Sequence, residues 1–112
     1  APHGVICARL LPGVFAANFQ ALENEPGQIS NRWKFDEVAR LLTGSPAATA
    51  ADGARWLEEL CAQLHIPRLG VLGVTPAHVP SLVAQARKAS SMKGNPVVLP
   101  PEVLAAILLD AM

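Results

Sequence analysis

The sequence predicts an all-α domain, a compact bundle of about five helices joined by connections rich in proline and glycine. Five segments place apolar residues at helical spacing, and proline or glycine stands at the borders of those segments. Only the stretch 66–74 resembles a strand, and a single strand without a partner is unstable in water. We therefore expect an ordered loop at 66–74 and a single helical domain over residues 1–112.

The first predicted helix runs from about residue 4 to residue 22. One of its faces carries four residues at helical spacing: Leu11, Phe15, Asn18 and Leu22. Pro12 falls inside this segment, followed by Gly13. Because proline removes a backbone donor and clashes with the preceding turn, we expect a kink or a helix in two parts. A loop is expected at 25–28.

Two further helices follow. The second, about 32–42, should end at 43–46, where glycine can adopt the left-handed cap and proline prevents continuation. Its predicted buried stripe is Phe35, Val38, Ala39 and Leu42. The third should begin after Thr49, with Asp52 completing an approximate capping box, and should end at 65–67. Its predicted apolar face is Trp56, Leu57, Leu60, Cys61 and Leu64.

The carboxyl-terminal third predicts two more helices. A single turn is expected at 75–78, and Pro80 favours the start of a fourth helix that reaches about Lys88. Its inward residues should be Leu82, Val83 and Ala86. After the loop 89–99, a fifth helix should begin around Pro100 and continue to the terminus. Its predicted buried residues are Val103, Leu104, Ile107 and Leu108.

The composition and charge of the chain argue against some classes of function. The chain has nine basic and nine acidic residues and no basic run, so it offers no electrostatic footprint for nucleic acid. No apolar run is judged long enough to span a membrane, and no signal peptide is recognised. The cysteines Cys7 and Cys61 lie in apolar helical patterns and form no Cys-x-x-Cys motif. Reduced, buried thiols in a cytoplasmic protein are the expectation.

The three histidines fall on three separate segments without a metal-binding spacing between them. A complete metal site needs three or four ligands, which this pattern does not supply. Just ahead of the first helix, free N–H groups and the helix dipole disfavour protonation of His3. Its neutral imidazole could act as a base, a hydrogen-bond partner or a metal ligand. A purely structural role for His3 is the alternative. For His65 at a helix end and His78 in a turn, structural roles are expected.

The second unusual stretch is the polar loop 89–97, Ala-Ser-Ser-Met-Lys-Gly-Asn-Pro-Val, between two apolar helices. Polar loops held by rigid helices often carry function. An ordinary interhelical connection, with Asn95 as a turn residue, explains the composition equally well. No Ser-His-Asp arrangement and no glycine-rich phosphate loop of the G-x-G-x-x-G type occurs in the sequence.

The two stretches together resemble the iron-containing alcohol dehydrogenase family. The resemblance rests on Pro-His-Gly before an apolar helix containing Leu-Leu-Pro, and on Ser-Ser-Met-Lys-Gly-Asn-Pro before the last helix. Leu-His-Ile-Pro at 64–67 and Leu-Gly-Val at 72–74, ahead of Val79-Pro80, follow the same layout. The likeness covers 2–112 and corresponds to the helical carboxyl-terminal domain of that family, a dehydroquinate synthase-like helical domain.

The resemblance implies an enzyme that interconverts alcohols and aldehydes by hydride transfer to or from NAD(P). A divalent metal, Fe²⁺ in preference to Zn²⁺, is held by one aspartate and three histidines and acts as a Lewis acid. His3 inherits one ligand position. Ser91, Lys93 and Asn95 become candidates for lining the substrate cleft, whereas no residue is assigned to cofactor binding or to a catalytic role of its own.

The resemblance also implies that the chain is the carboxyl-terminal part of a longer two-domain dehydrogenase whose amino-terminal NAD(P)-binding domain is missing. The isolated chain is then expected to bind neither metal nor cofactor and to be inactive. The first helix should expose apolar surface, which favours self-association or a homo-oligomer. The alternatives are a stand-alone helical binding or scaffold module, and a glycerol dehydrogenase or dehydroquinate synthase type of enzyme.

Overall fold

The computed structural model describes residues 3–23, 25, 27, 29–89, 95 and 98–112, without the side chains of His3 and Ile29. The described residues form five α-helices: α1 (His3–Glu23), α2 (Ile29–Thr43), α3 (Ala50–Gln63), α4 (Val79–Lys88) and α5 (Pro101–Asp110). Two 3₁₀ helices, Leu69–Leu72 and Pro76–His78, connect α3 to α4. No strand occurs in this part of the chain, so the all-α prediction and the ordered loop at 66–74 are confirmed.

Helix α1 lies between two hydrophobic cores and belongs to both. Toward α2 and α3, Phe15 and Phe19 are buried with Ala50 and Leu57. The Phe15 ring makes edge-on contacts with Phe19 and Phe35, at centroid distances of 6.3 and 5.0 Å. Toward α4 and α5, the half-buried α1 residues Leu10 and Val14 pack on a second buried cluster. That second cluster consists of Val79, Val83, Leu99, Leu104 and Ile107.

Two glycines allow the helices to approach closely. A Cβ on Gly53 of α3 would lie 2.8 Å from the Ala39 Cβ of α2, which is inside van der Waals contact. A Cβ on Gly13 of α1 would lie 3.3 Å from Ile107 Cγ2 of α5. The close contact between α2 and α3 therefore requires glycine, which has no side chain, at residue 53.

Helix α1 runs without interruption through Pro12, so of the two outcomes expected there, a kink or a helix in two parts, the second is wrong. Proline at residue 12 cannot donate to the Ala8 carbonyl four residues earlier. The Cys61 thiol of α3 donates to that carbonyl at 3.4 Å. A partner from a neighbouring helix thus compensates the bond that proline removes. Cys61 is buried as predicted, but Cys7 is exposed, and neither of the two cysteines forms a disulfide.

Three residues of the predicted apolar faces are exposed: Leu11 by 47%, Val38 by 41% and Leu64 by 61%. Leu64 lies just beyond the end of α3. The domain is flat, with extents of 39 × 33 × 19 Å, and its thin dimension fits about two layers of helices of 10–12 Å diameter. A flat domain covers only part of each helix, so marginal positions face outward.

The predicted end of α2 and the predicted start of α3 are confirmed. Gly44 has φ +73° and its N–H donates to the Arg40 carbonyl at 2.9 Å, which closes α2. At the start of α3, the Thr49 N–H donates to Asp52 Oδ2 at 2.9 Å, and Asp36 Oδ1 accepts from the Ala50 N–H at 2.8 Å. The hydrogen bonds that Asp52 accepts from the Thr49 backbone N–H and, next in size, from the Thr49 hydroxyl lower the pKa of its carboxyl, and the charge of Arg55 lowers it further.

By length and composition, residues Gly4–Glu23 could cross a membrane, with a mean hydropathy of 1.4. The sequence-based statement that no apolar run reaches that length is therefore wrong. The same length and composition are found in core helices and amino-terminal signal sequences, so the signal is weak. Here α1 contributes Phe15, Phe19 and the fully buried Leu22 to the interior.

Candidate functional site

His3 is the first residue of α1, where the sequence prediction placed it just ahead of the helix. Its side chain lies outside the described part of the structure. Among the described residues, no group of three or more His, Cys, Asp or Glu side chains is arranged to hold a metal ion. The described chain therefore does not contain a complete metal site, and His3 remains a candidate for a single ligand position.

The other two histidines occupy the structural positions predicted for them. His65 has φ +55° and follows α3. Its N–H donates to the Ala62 carbonyl, and the Ile66 N–H donates to Cys61, which is the paired hydrogen bonding that commonly ends helices. In the turn before α4, His78 Nδ1 accepts from the Thr75 N–H at 3.0 Å. Both residues are exposed; the His78 imidazole holds its local turn, whereas His65 ends α3 through its backbone.

Of the loop candidates, Ser91 and Lys93 lie outside the described residues, whereas Asn95 is described and half-buried. The Asn95 side-chain amide donates to Asn18 Oδ1 at 2.7 Å. Asn18 is 4% exposed, and its own amide donates to the Val14 carbonyl at 3.0 Å. Asn95, in the loop before α5, is therefore hydrogen-bonded to a buried residue in the carboxyl-terminal half of α1.

Asn18 is a residue of the site that sequence reasoning missed. The sequence puts it on one face of α1 at helical spacing but predicts no bonding partner for it. Asn18 follows His3 by fifteen residues in the same helix, a separation of about 22 Å along the axis. One rigid helix thus carries the candidate metal ligand at its start and the anchor of the polar loop near its end.

An apolar cavity of about 580 Å³, partly open to solvent, lies between α1, α4 and α5. Ile6, one turn after His3, lines it, as does Ala89, the residue immediately before the loop 90–97. Among the described residues that line it, Gln85 is the one with a polar side chain. The cavity therefore borders both segments that the sequence singled out.

Arg9 is the second residue that sequence reasoning missed. It is 7% exposed although it lies on an apolar helix. Its guanidinium donates to the Pro67 carbonyl at 3.1 Å and to the Ile66 carbonyl, and it pairs with Glu58 at 3.5 Å. A buried charge is tolerated when its donors are satisfied in this way. Arg9 fixes the amino-terminal part of α1 to the end of α3.

Comparison with known proteins identifies the class to which this helical domain belongs. The sequence model of the Fe-containing alcohol dehydrogenase family, C-terminal, matches residues 1–112. The chain belongs to the Fe-containing alcohol dehydrogenase family, as its motifs indicated. Neither the curated proteins nor the solved structures searched contain a match. The family match covers the whole chain and therefore includes both His3 and the loop 90–97.

Proposed function

We propose that these 112 residues are the metal- and substrate-side helical domain of a longer, NAD(P)-dependent alcohol dehydrogenase in the cytoplasm. The observation that carries the proposal is the position of His3 at the start of α1 in a chain matched throughout by this family. Small alcohols and aldehydes are the proposed substrates. The amino-terminal NAD(P)-binding domain would be supplied by sequence outside the residues printed here.

The donor chemistry of His3 fits the proposed metal. Imidazole nitrogen is a suitable ligand for Fe²⁺ and for Zn²⁺. The described residues contain no cluster of three metal ligands. We therefore assign His3 to one ligand position and propose that the ligating aspartate and the other two ligating histidines lie outside this chain. When bound, the metal would polarise the alcohol or carbonyl oxygen during hydride transfer.

The remaining roles fall to the loop and to α1. We assign Ser91 and Lys93 to the wall of the substrate cleft. Asn95 holds this wall in place through its bond to Asn18 at 2.7 Å, which supports a positioning role for the pair. Because α1 carries both His3 and Asn18, movement of that helix would change the metal side and the loop together.

The isolated chain is proposed to be inactive and to self-associate. It supplies one of the proposed metal ligands, and a single imidazole does not hold a catalytic metal tightly. Large apolar side chains are exposed on the surface, including Leu11 by 47%, Trp33 by 66% and Leu41 by 84%. Contact with the missing domain or with a second copy would cover them.

The test is made on the full-length protein encoded by the gene. The reading frame before Ala1 should encode a glycine-rich nucleotide-binding loop and a second histidine shortly before His3. His3→Gln should lower NAD(P)-dependent alcohol oxidation by at least about a hundredfold and reduce the bound metal. His65→Asn is the matched control, because residue 65 lies at an exposed helix end and asparagine tolerates its backbone conformation.

Three results would contradict the proposal. The first is a stop codon directly before Ala1. The second is full activity and metal content in the His3→Gln enzyme. The third is NAD(P)-dependent turnover by the pure 112-residue chain. If the protein is a helical binding module without catalysis, neither the full-length protein nor the 112-residue chain should contain metal or turn over an alcohol.

A further inference from the structure

We propose that two copies of this chain pair through the outer face of α2, with the two α2 helices antiparallel and a two-fold axis at Glu37. The inference rests on the proposed function only in naming the surface of the proposed self-association, and it needs no metal or cofactor. On its inner face, α2 packs Phe35 and Leu42 into the core. Its outer face carries two large, strongly exposed apolar side chains, Trp33 and Leu41.

The order of side chains on this outer face is the same in both directions from Glu37. A basic residue stands three positions away on each side, Lys34 and Arg40, and an apolar residue four positions away, Trp33 and Leu41. Residues three and four positions apart share one face of a helix. A two-fold contact requires a surface that is complementary to itself. A face that is symmetric about its centre meets this condition when it pairs with a reversed copy of itself.

The charges on the outer face of α2 are not paired within the fold. In the described part of the chain, Lys34, Glu37 and Arg40 form no salt bridge. Asp36 stands beside them and accepts a hydrogen bond from the Ala50 N–H at 2.8 Å. With two basic and two acidic residues, the face has no net charge that would drive two copies apart. The acidic groups of one copy can instead meet the basic groups of the other.

A surface cavity shows which side chains would meet. Its volume is about 290 Å³, and it is lined by Trp33, Asp36, Glu37 and Arg40. Trp33 and Arg40 are seven residues apart and follow one edge of the face, which lies against the same edge of the antiparallel copy. Arg40 of one copy thus reaches the cavity of the other, where an indole ring and two carboxylates attract a guanidinium. Along the other edge, Leu41 packs on the apolar stem of Lys34.

The size of the contact determines its strength. The fifteen residues of α2 span about 22 Å, so one pair of helices buries less than the area of about 1,200 Å² at which stable interfaces begin. We therefore expect a weak dimer with a Kd in the micromolar to millimolar range. Sedimentation equilibrium of the 112-residue chain measures it. In NMR spectra the Trp33 indole signal should shift with protein concentration, whereas that of Trp56, which packs on the core, should not.

Opposite changes of charge test whether the copies meet through this face. Glu37→Lys leaves three basic residues along the face, and the double variant Lys34→Glu/Arg40→Glu leaves three acidic ones. Each variant alone should associate at least about tenfold more weakly than the wild type, because like charges meet across the axis. An equimolar mixture of the two variants should associate at least as tightly as the wild type, since each face then meets the opposite charge.

Glu59→Lys is the matched control for Glu37→Lys, because Glu59 is an exposed glutamate of α3, and it should associate like the wild type. If circular dichroism shows that the charge variants alter α2, an uncharged substitution replaces them. Leu41→Ser should weaken pairing at least about tenfold, because the leucine is lost from both copies. Val71→Ser removes a similarly exposed apolar side chain from the first 3₁₀ helix and should have no effect.

The inference is overturned if the wild-type chain stays monomeric at millimolar concentration, or if the mixture of folded charge variants does not associate. Undiminished association of each charge variant alone would also overturn it, because the contact would then lie elsewhere, for example at the exposed Leu11. A third such result is that Glu37→Lys exposes the amino-terminal domain of the full-length protein to proteolysis, since that domain would then cover α2.

These outcomes are separate from those of the proposed function. A monomeric 112-residue chain together with an active full-length dehydrogenase would refute the pairing alone. Pairing through α2 with no activity in the full-length protein would refute the dehydrogenase and leave the interaction surface.

Discussion

The side-chain amide of Asn95 donates a hydrogen bond of 2.7 Å to Asn18 Oδ1, across 77 residues of sequence. Asn18 is almost fully buried in an apolar helix. A buried amide is costly unless it is hydrogen-bonded. Here one end of the Asn18 amide bonds the Val14 carbonyl of its own helix and the other end accepts from the loop. The pair therefore ties the loop before α5 to α1 at a defined position.

Asn18→Leu should lower the free energy of unfolding by about 1–3 kcal/mol, because the Asn95 amide loses this acceptor while leucine keeps the volume of the side chain. Urea unfolding of the 112-residue chain measures the loss.

Asn95→Ala and the double variant complete a mutant cycle with Asn18→Leu. If the hydrogen bond is the source of the effect, the double variant should be less destabilised than the sum of the two single variants, by about 1 kcal/mol. Additive losses would show that the two side chains act independently.

Arg9→Met should destabilise the domain by about 2–4 kcal/mol, because the Pro67 and Ile66 carbonyls lose a charged donor in a nearly buried setting. Methionine retains much of the apolar stem. Arg55→Met is the control: that side chain is 69% exposed and pairs with Asp52 at 3.8 Å, so its loss should cost less than about 1 kcal/mol. Chemical denaturation of the two variants measures how much each substitution lowers the free energy of unfolding. Equal decreases would contradict the role assigned to Arg9.

His65→Gly should raise the free energy of unfolding by about 0.5–1 kcal/mol, because residue 65 has φ +55° and a side chain makes that conformation unfavourable. Thermal unfolding should show a higher Tm. The matched variant His78→Gly should show no such gain, since residue 78 has φ −79° and its ring accepts from Thr75. A lower Tm for His65→Gly would mean that the imidazole makes a net stabilising contribution.

Asp52 should make the stability of α3 depend on pH. Hydrogen bonds from Thr49 lower its pKa in the folded protein below the ordinary value of 3.8. A carboxyl with a lowered folded pKa contributes its full stabilisation above the unfolded value, and that contribution is lost as the pH falls through the folded value. The Tm difference between wild type and Asp52→Asn should therefore be constant near neutral pH and shrink below pH 3.8.

A Tm difference that grows on acidification would contradict this assignment. Direct titration of the Asp52 carboxyl by NMR provides the second measurement, and its midpoint should lie below 3.8.

Local signals account for the parts of the fold that sequence reasoning predicted correctly. Gly44 ends α2, Thr49 and Asp52 begin α3, and Pro80 stands in the first turn of α4, as predicted. Each of these effects acts within one helical turn, so the neighbouring residues suffice to predict it. The motif around His3 and the loop 90–97 likewise indicated the family, which the match over 1–112 confirmed.

The sequence by itself thus determined the five helices, the end of α2, the start of α3 and the family. Tertiary structure alone decided the partners of Asn18 and Arg9, the Cys61 thiol that meets the Ala8 carbonyl beside Pro12, and the outward positions of Leu11, Val38 and Leu64. These features depend on which helices lie side by side. Helical periodicity defines an apolar stripe but not how much of it a flat domain covers, and a polar residue's partner can lie 77 positions away.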